Sequence, residues 1–146
     1  MNINTKIQHF FNDKIAFIII GASKDPSKYG HKVLQWYKNQ RKPVFVIHPK
    51  ENEVLGEKCY RSINEIPVSE NEMRKLAIHF ITPPAVSITY LQIAREKGIE
   101  WLWCQPGSES AESADETHSE VCHAKVDVAI EEKGVCARKK LYSECL

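Results

Sequence analysis

Short apolar runs alternate with amphipathic stretches along most of the chain. Residues 14–20, KIAFIII, form an almost continuous apolar run that stops at a glycine, a pattern typical of a strand buried on both faces. Three further runs, at 43–50, 75–84 and 99–107, each end at a proline or at Pro-Gly. We therefore predict that these four runs are parallel strands of one sheet.

The stretches between the strands have helical spacing. Residues 27–42 and 85–98 place apolar side chains three or four positions apart, which predicts an amphipathic helix after the first strand and after the third. We also predict a lead-in helix over residues 1–13. Between the second and third strands, a brief strand is expected near Cys59 and one helical turn near Ile63.

The C-terminal part of the chain is predicted to complete the fold. A polar stretch from Ser108 leads into a predicted helix that ends near Gly134, and residues 135–138 are predicted to be a fifth, edge strand. No linker or internal repeat divides the sequence. The alternation predicts one domain, residues 1–146, with a Rossmann-like doubly wound α/β fold: a mainly parallel five-stranded sheet with helices on both faces.

Composition and charge narrow the classes of function. The 42% hydrophobic and 27% charged residues are ordinary for a soluble globular domain, and a net charge of +1 indicates neither nucleic acid nor an acidic membrane as a partner. No apolar run approaches the roughly 18 residues of a membrane span, and the N-terminus lacks the features of a secretory signal. Five cysteines without a CxxC pair favour a reducing, cytoplasmic location.

Two alternative chemical sites find little support in the sequence. His118, Cys122 and His123 share a predicted helix face, but no fourth ligand stands at a recognised spacing, so we expect no metal site. Cys104 lies close to the predicted strand end, yet buried strand thiols are usually inert. We therefore expect no catalytic residue in either place.

The carboxyl ends of the predicted strands carry the strongest functional signal, because ligands of doubly wound sheets bind there. The four strand ends are followed by GASKDPSKYG, HPK, TPPA and QPGSES, which contain glycine, proline and small hydroxyl residues but no catalytic set. Gly21 allows backbone N–H groups close to a phosphate, and the following helix adds its positive N-terminal dipole. Ser27 is predicted to cap that helix.

The nature of the nucleotide is indicated by the end of the second strand. The first loop is neither GxGxxG nor a P-loop. An NAD site places Asp or Glu at the end of the second strand to bind the ribose hydroxyls, whereas this chain has His48-Pro49-Lys50. A lysine there attracts a phosphate on the ribose. The sequence therefore favours coenzyme A or NADP over NAD.

Taken together, GASKDPSKYGHKV, VIHPKENEVLGEKCYRSINEIP, FITPPA and QPGSES resemble the CoA-binding domain family. This Rossmann-like domain is also found in the alpha subunit of succinyl-CoA synthetase and in ADP-forming acyl-CoA synthetases. The resemblance covers residues 15–110 approximately, and it implies a five-stranded parallel sheet with coenzyme A lying across the carboxyl edge.

The resemblance also implies roles for individual residues. The turn at residues 21–23 would lie under the phosphates, and Lys50 would bind the ribose 3′-phosphate while Pro49 fixes its backbone. The segment 82–84 would flank the adenine or the start of the pantetheine arm, and 105–107 would close the far side of the cleft. The complete set of candidate ligand-binding residues is Gly21, Ala22, Ser23, Lys24, Lys28, Tyr29, Gly30, His48, Pro49, Lys50, Thr82, Pro83, Pro84, Gln105, Pro106 and Gly107.

Two departures from the family bear on function. The family often has Asn where this chain has His48, so the imidazole is expected to replace the hydrogen bond of the amide or to make binding depend on pH. The phosphohistidine segment and grasp domain of the synthetases lie elsewhere in much longer chains. We therefore expect non-catalytic binding of coenzyme A or an acyl-CoA, as a carrier, sensor or partner module. The alternative is a small NADP-binding oxidoreductase or regulatory domain, and no residue requires or excludes a protein partner or a homo-oligomer.

Overall fold

The computed structural model describes residues 10–104, 126–131 and 134–139, and its centre is a six-stranded sheet in the order β3-β4-β2-β1-β5-β6. The strands are β1 (Ala16–Ile20), β2 (Val44–Ile47), β3 (Glu53–Val54), β4 (Glu57–Tyr60), β5 (Leu76–Phe80) and β6 (Trp101–Cys104). Five of them run parallel, and only β3 pairs antiparallel, with β4. The predicted Rossmann-like, mainly parallel α/β fold is confirmed.

Helices connect the parallel strands. They are α1 (Tyr29–Asn39), a 3₁₀ turn (Ile63–Glu65), α2 (Glu70–Met73) and α3 (Pro84–Lys97), and residues 10–12 are helical as well. Helix α3 begins at Pro84, one residue before the predicted start, and it ends at Lys97, with Gly98 as a C-cap whose φ of 74° is left-handed. Among the described residues, no helix is long and apolar enough to cross a membrane.

The register of the sheet brings the strand ends to one level. Ile20 at the end of β1 pairs with Ile47 of β2 on one side and with Phe80 of β5 on the other. From β1 the chain proceeds first to β2 and β4, and later to β5 and β6 on the opposite side. The strand order thus reverses at β1, and the carboxyl edge beside such a reversal is where ligands of doubly wound sheets bind.

The two faces of the sheet have different cores. On one face, the side chains of Ile18 and Ile20 pack with α2 and α3 in an aliphatic cluster, whereas on the other face Phe17 and Ile19 pack with α1 and the helical residues 10–12. Tilted and edge-on ring pairs join the aromatic face, with Phe17 and Tyr37 centroids 5.0 Å apart. Both faces of the sheet are covered, as the continuous apolar run at 16–20 requires.

One polar link crosses the aromatic face. The buried Tyr37 hydroxyl on α1 and Nδ1 of the buried His79 on β5 share a hydrogen bond of 2.8 Å. Burial lowers the pKa of His79 to about 3 and raises the pKa of Tyr37 well above its ordinary value. Both groups are therefore neutral, and the hydrogen bond satisfies two polar atoms that would otherwise be buried without a partner.

The C-terminal part differs from the prediction. Strand β7 (Val126–Glu131) pairs antiparallel with β8 (Gly134–Lys139), with Ala129 opposite Cys136. The predicted helix is therefore wrong over 126–131, where β-branched residues alternate with other residues, a strand pattern. The predicted edge strand at 135–138 exists but belongs to this separate two-stranded sheet. The fifth parallel strand is instead β4, the brief strand expected near Cys59.

Two predictions lie outside the described residues. They are the lead-in helix before residue 10 and the part of the C-terminal helix before residue 126. The assignment of residues 1–146 to a single domain stays a prediction.

Candidate functional site

The loop after β1 is built on two close backbone approaches. Gly21 has a φ of +102°, and a Cβ there would collide with the Ile81 carbonyl group that follows β5. A Cβ on Gly30, in the first turn of α1, would overlap the Gly21 carbonyl oxygen and lie 3.1 Å from Cα of Ala22. Only glycine fits at both positions. Helix α1 therefore rests directly on the turn after β1, and that turn rests on the segment after β5.

The polar residues of this loop bond to one another. The Asp25 carboxylate accepts hydrogen bonds from Ser27 N at 2.9 Å and Ser27 Oγ at 2.7 Å, and these bonds lower the pKa of Asp25. Ser23 Oγ in turn accepts from Asp25 N at 3.1 Å. The predicted helix cap at Ser27 is wrong, because Asp25 engages its hydroxyl. The N-cap is Lys28, and no described side chain caps the helix.

His31 holds the same loop from the helix, and sequence reasoning missed it. Its Nδ1 lies 3.0 Å from the Ser23 carbonyl oxygen, so a protonated Nδ1 donates to it. The only sequence signal for this contact was the position of His31, a histidine in the first turn of a helix that follows a glycine turn.

The loop after β2 is organised around His48. Its Nδ1 accepts hydrogen bonds from the backbone N–H groups of Lys50 at 3.0 Å and Glu51 at 2.9 Å. The imidazole thus makes backbone bonds that an asparagine amide oxygen is also able to make. Burial lowers the pKa of His48, with smaller lowering effects from nearby positive charges. A neutral ring is the form that both hydrogen bonds require.

Arg61, which follows β4, encloses the other side of this loop. Its Nη1 donates to the carbonyl oxygens of His48 at 3.0 Å and of Glu51, and its Nη2 donates to the Lys50 carbonyl at 3.0 Å and to Asn52 Oδ1 at 2.6 Å. The pairing of Ile47 with Tyr60 brings Arg61 beside residues that lie nine to thirteen positions earlier in the chain. Arg61 was missed by sequence reasoning, because an isolated arginine after a short strand carries no recognisable signal.

The lysines at this edge differ in their surroundings. Lys24 Nζ forms an ion pair with Glu51 Oε2 at 2.7 Å, which links the loops after β1 and β2. The hydrogen bond between them raises the pKa of Lys24 and lowers that of Glu51. The exposed Lys50 ammonium makes neither a hydrogen bond nor an ion pair with another described residue. Its positive charge is therefore available at the surface.

The loop after β5 is held by two hydroxyl groups. Thr82 Oγ1 and Ser87 Oγ, both buried, lie 2.7 Å apart, and Ser87 Oγ also donates to the Pro83 carbonyl at 3.2 Å. Pro83 is the N-cap of α3 and Pro84 its first residue. Thr82 thus directs its hydroxyl into the start of α3, while its methyl group faces Gly21. Ser87 was missed by sequence reasoning, although a serine one turn into a helix is a common backbone partner.

The structure brings three of the four predicted strand-end segments to one edge of the sheet. They contain Gly21, Ala22, Ser23, Lys24, Lys28, Tyr29, Gly30, His48, Pro49, Lys50, Thr82, Pro83 and Pro84. Gln105, Pro106 and Gly107 lie outside the described residues, directly after Cys104, which pairs with Phe80 at the end of β6. The described segments contain no group of three or more His, Cys, Asp or Glu arranged to hold a metal ion, and residues 118–123 lie outside them.

This sheet order, with a glycine turn at the strand reversal and a lysine loop beside it, defines a doubly wound α/β domain of the Rossmann type. The chain belongs to the CoA binding domain family, whose model matches residues 16–130.

Relatives of known name are much longer proteins. Over 95 residues the chain is 35% identical to the alpha subunit of ADP-forming acetate–CoA ligase II of Pyrococcus furiosus, covering 64% of this chain and 20% of that protein. It is 30% identical over 82 residues to an ADP-forming acetate–CoA ligase of Methanocaldococcus jannaschii, covering 56% of this chain and 11% of that protein. The chain thus spans about a fifth or less of these curated relatives.

Solved structures of similar size share the fold. A conserved hypothetical protein of Pyrococcus furiosus is 36% identical, with a TM-score of 0.61 over 68% of this chain and 82% of that chain. A hypothetical protein of Pyrococcus horikoshii is 23% identical, with a TM-score of 0.69 over 80% of this chain and 78% of that chain. The second likeness concerns the fold alone.

Proposed function

We propose that this domain binds coenzyme A, free or acylated, at the carboxyl edge of the sheet, between the loops after β1, β2 and β5. The observation that carries the proposal is the Lys50 ammonium, which has no partner among the described residues and stands on a loop held by His48 and Arg61. Membership of the CoA binding domain family supports this ligand over other phosphorylated nucleotides.

The two glycine contacts suit the pyrophosphate. Because Gly21 and Gly30 lack side chains, α1 packs directly on the turn after β1, and this packing brings the positive N-terminal end of the helix to the edge where the phosphates are proposed to bind. Lys50 then binds the 3′-phosphate on the ribose, which NAD lacks. The remaining candidates at 22–24, 28–29, 49, 82–84 and 105–107 line the path of the ligand in this proposal.

The proposed role is that of a non-catalytic carrier, sensor or partner module. The relatives are named as subunits or chains of acetate–CoA ligases, and this chain matches only a small part of each. That relation favours the partner module, in which the domain presents coenzyme A to a catalytic polypeptide. NADP is the second candidate ligand, because a lysine at the end of β2 also suits a 2′-phosphate.

Calorimetric titration tests the proposal directly. We expect binding of coenzyme A and acetyl-CoA, weaker binding of 3′-dephospho-CoA and NADP, and little binding of NAD. Protein that retains a nucleotide through purification should absorb near 260 nm, and mass spectrometry then identifies the ligand. No binding of coenzyme A at millimolar concentration contradicts the proposal, and tighter binding of NADP than of coenzyme A replaces it with the alternative.

A further inference from the structure

The loop that carries Lys50 has little regular structure of its own. Residues 48–52 connect β2 to the two-residue strand β3, and Pro49 and Lys50 are exposed. A lysine on such a loop gains selectivity for one phosphate only if its backbone is held in place, because a mobile ammonium attracts any anion within reach.

Arg61 supplies four of the hydrogen bonds that restrain this loop. The two terminal nitrogens of its guanidinium contact four oxygen atoms of the loop. Three are the backbone carbonyl oxygens of residues 48, 50 and 51, and the fourth is Oδ1 of Asn52. The Arg61 backbone is itself fixed, because its N–H donates to Glu65 Oε2 at 3.0 Å. The planar five-donor fork of arginine is suited to such a set of acceptors, and the single ammonium of lysine is not.

The same contacts separate Arg61 from the ligand. Each terminal nitrogen carries two N–H groups, and each already contacts two oxygens of the loop. A phosphate would have to displace one of these bonds to pair with either terminal nitrogen. Lys50 is in the opposite situation, since its ammonium makes neither a hydrogen bond nor an ion pair with the described residues.

We infer that Arg61 is a positioning residue that sets the preference for a ligand bearing a ribose phosphate, acting through Lys50 and without touching the ligand. The inference rests on the proposed function. It assigns phosphate selectivity to the four hydrogen bonds by which Arg61 holds the loop, here called the frame, in addition to the charge of Lys50. In that frame, Lys50 discriminates coenzyme A from 3′-dephospho-CoA only while Arg61 is present.

The test measures affinity for coenzyme A and for 3′-dephospho-CoA in the wild type, Arg61→Ala, Arg61→Lys and the control Arg74→Ala. Arg74 is an exposed arginine at the C-cap of α2, before β5 and away from the loop. We expect the preference for coenzyme A to fall about tenfold in Arg61→Ala, the loss typical of one charge-assisted contact. Arg61→Lys should fall equally, since lysine keeps the charge but cannot span the four oxygens. Arg74→Ala should keep the wild-type preference.

A double-mutant cycle with Lys50→Ala separates positioning from direct contact. If Arg61 acts through Lys50, the loss of preference in the double variant should equal that of either single variant. Two results would overturn the inference, because each would mean that Arg61 contacts the phosphate as a charge. One is a double variant whose loss of preference is the product of the two single losses; the other is a wild-type preference in Arg61→Lys. A parallel loss of affinity for both ligands with an unchanged ratio also overturns it, since that result indicates a general structural role.

Failure of the inference and failure of the proposed function give different results. If the wild type binds no coenzyme A, the proposed function fails. If the wild type binds coenzyme A and prefers it, but Arg61→Ala keeps that preference, only the inference fails. Unfolding curves of each variant accompany the titrations. Because β2 and β4 pair through their own backbones, Arg61→Ala is expected to unfold cooperatively, close to the wild-type temperature.

Discussion

The neighbouring loops after β1 and β2 are held by opposite means. The turn that begins the loop after β1 depends on the absence of side chains at Gly21 and Gly30, which allows this turn, helix α1 and the segment after β5 to meet backbone to backbone. The loop after β2 depends on two side chains, because the His48 ring accepts from its N–H groups and Arg61 donates to its oxygens. The first arrangement tolerates no added atom, whereas the second is adjustable. We therefore expect substitutions to change folding in the first loop and selectivity in the second.

The largest effect is expected from Gly30→Ala. Its backbone is helical, so the cost arises from the new Cβ against the Gly21 carbonyl group, and we expect a loss of about 3 kcal/mol or more in the free energy of unfolding. Denaturant unfolding measures it. In the control, Gly56→Ala, the added Cβ meets only the Lys38 ammonium at 3.4 Å, so the left-handed φ of 77° alone should cost about 1–2 kcal/mol. Equal losses in the two variants would contradict the close-approach explanation.

The second largest effect is expected from Lys50→Glu. Removing the ammonium and adding a carboxylate should weaken the binding of coenzyme A by about 1.5–3 kcal/mol. The binding of 3′-dephospho-CoA should weaken much less, because it lacks the extra phosphate. Calorimetry measures both affinities. Lys75→Glu is the matched control, since Lys75 is exposed and precedes β5 at the opposite edge of the sheet. A similar loss for both ligands in Lys50→Glu would place the phosphate elsewhere.

A smaller, pH-dependent effect is expected at His48. Burial lowers the pKa of this histidine below its ordinary value of 6.5, so the stabilising neutral ring is fully present above pH 6.5 and is lost as the pH falls through the lower, folded-state value. Protonation of Nδ1 ends its hydrogen bonds to Lys50 N and Glu51 N. The amide NMR signals of these two residues should therefore shift with a midpoint below pH 6.5. In His48→Asn the same signals should stay constant between pH 7.5 and 5.5, and an identical shift in that variant would exclude His48 as its origin.

The smallest effect is expected from Glu51→Gln. The carboxylate of Glu51 engages Lys24 at 2.7 Å, so its neutralisation should leave Lys24 more available to an incoming phosphate. Because both side chains are exposed, the gain in affinity for coenzyme A should be modest and should shrink with added salt. The gain should be the same for 3′-dephospho-CoA, unlike the loss in Lys50→Glu. Weaker binding of both ligands would show that the ion pair itself supports the site.

The sequence predicted the core of the fold because β1 and β5 are buried on both faces, so that β1 is a continuous apolar run and only His79 interrupts the run of β5. It was less informative where burial is partial. The four residues of β4 were expected only as a brief strand, and their place beside β2 was not foreseen. The apolar residues of 126–131 were assigned to a helix, although their alternation and β-branched side chains favour the strand that forms.

At the start of α1, a hydrogen bond to a neighbouring side chain replaces the helix cap that the sequence predicts. Ser27 stands where a helix cap is expected, but Asp25 is two residues away and its carboxylate accepts both the N–H and the hydroxyl of that serine. Such short-range alternatives have similar energies, so sequence alone does not choose between them. The prediction that Ser27 caps the helix was therefore wrong, although the loop does follow β1 as predicted.

Local chemistry along the chain was sufficient to predict the strands β1, β2, β5 and β6, the glycines at 21 and 30 and a lysine at the end of β2, because each follows from the residues beside it. Only the tertiary structure decided that Gly30 touches Gly21, that Lys24 is paired with Glu51, and that Arg61 encloses the loop that carries Lys50. These contacts join residues separated along the chain, and they exist because strand order and register bring them together. The charge of Lys50 was therefore visible in the sequence, whereas the frame that holds it was not.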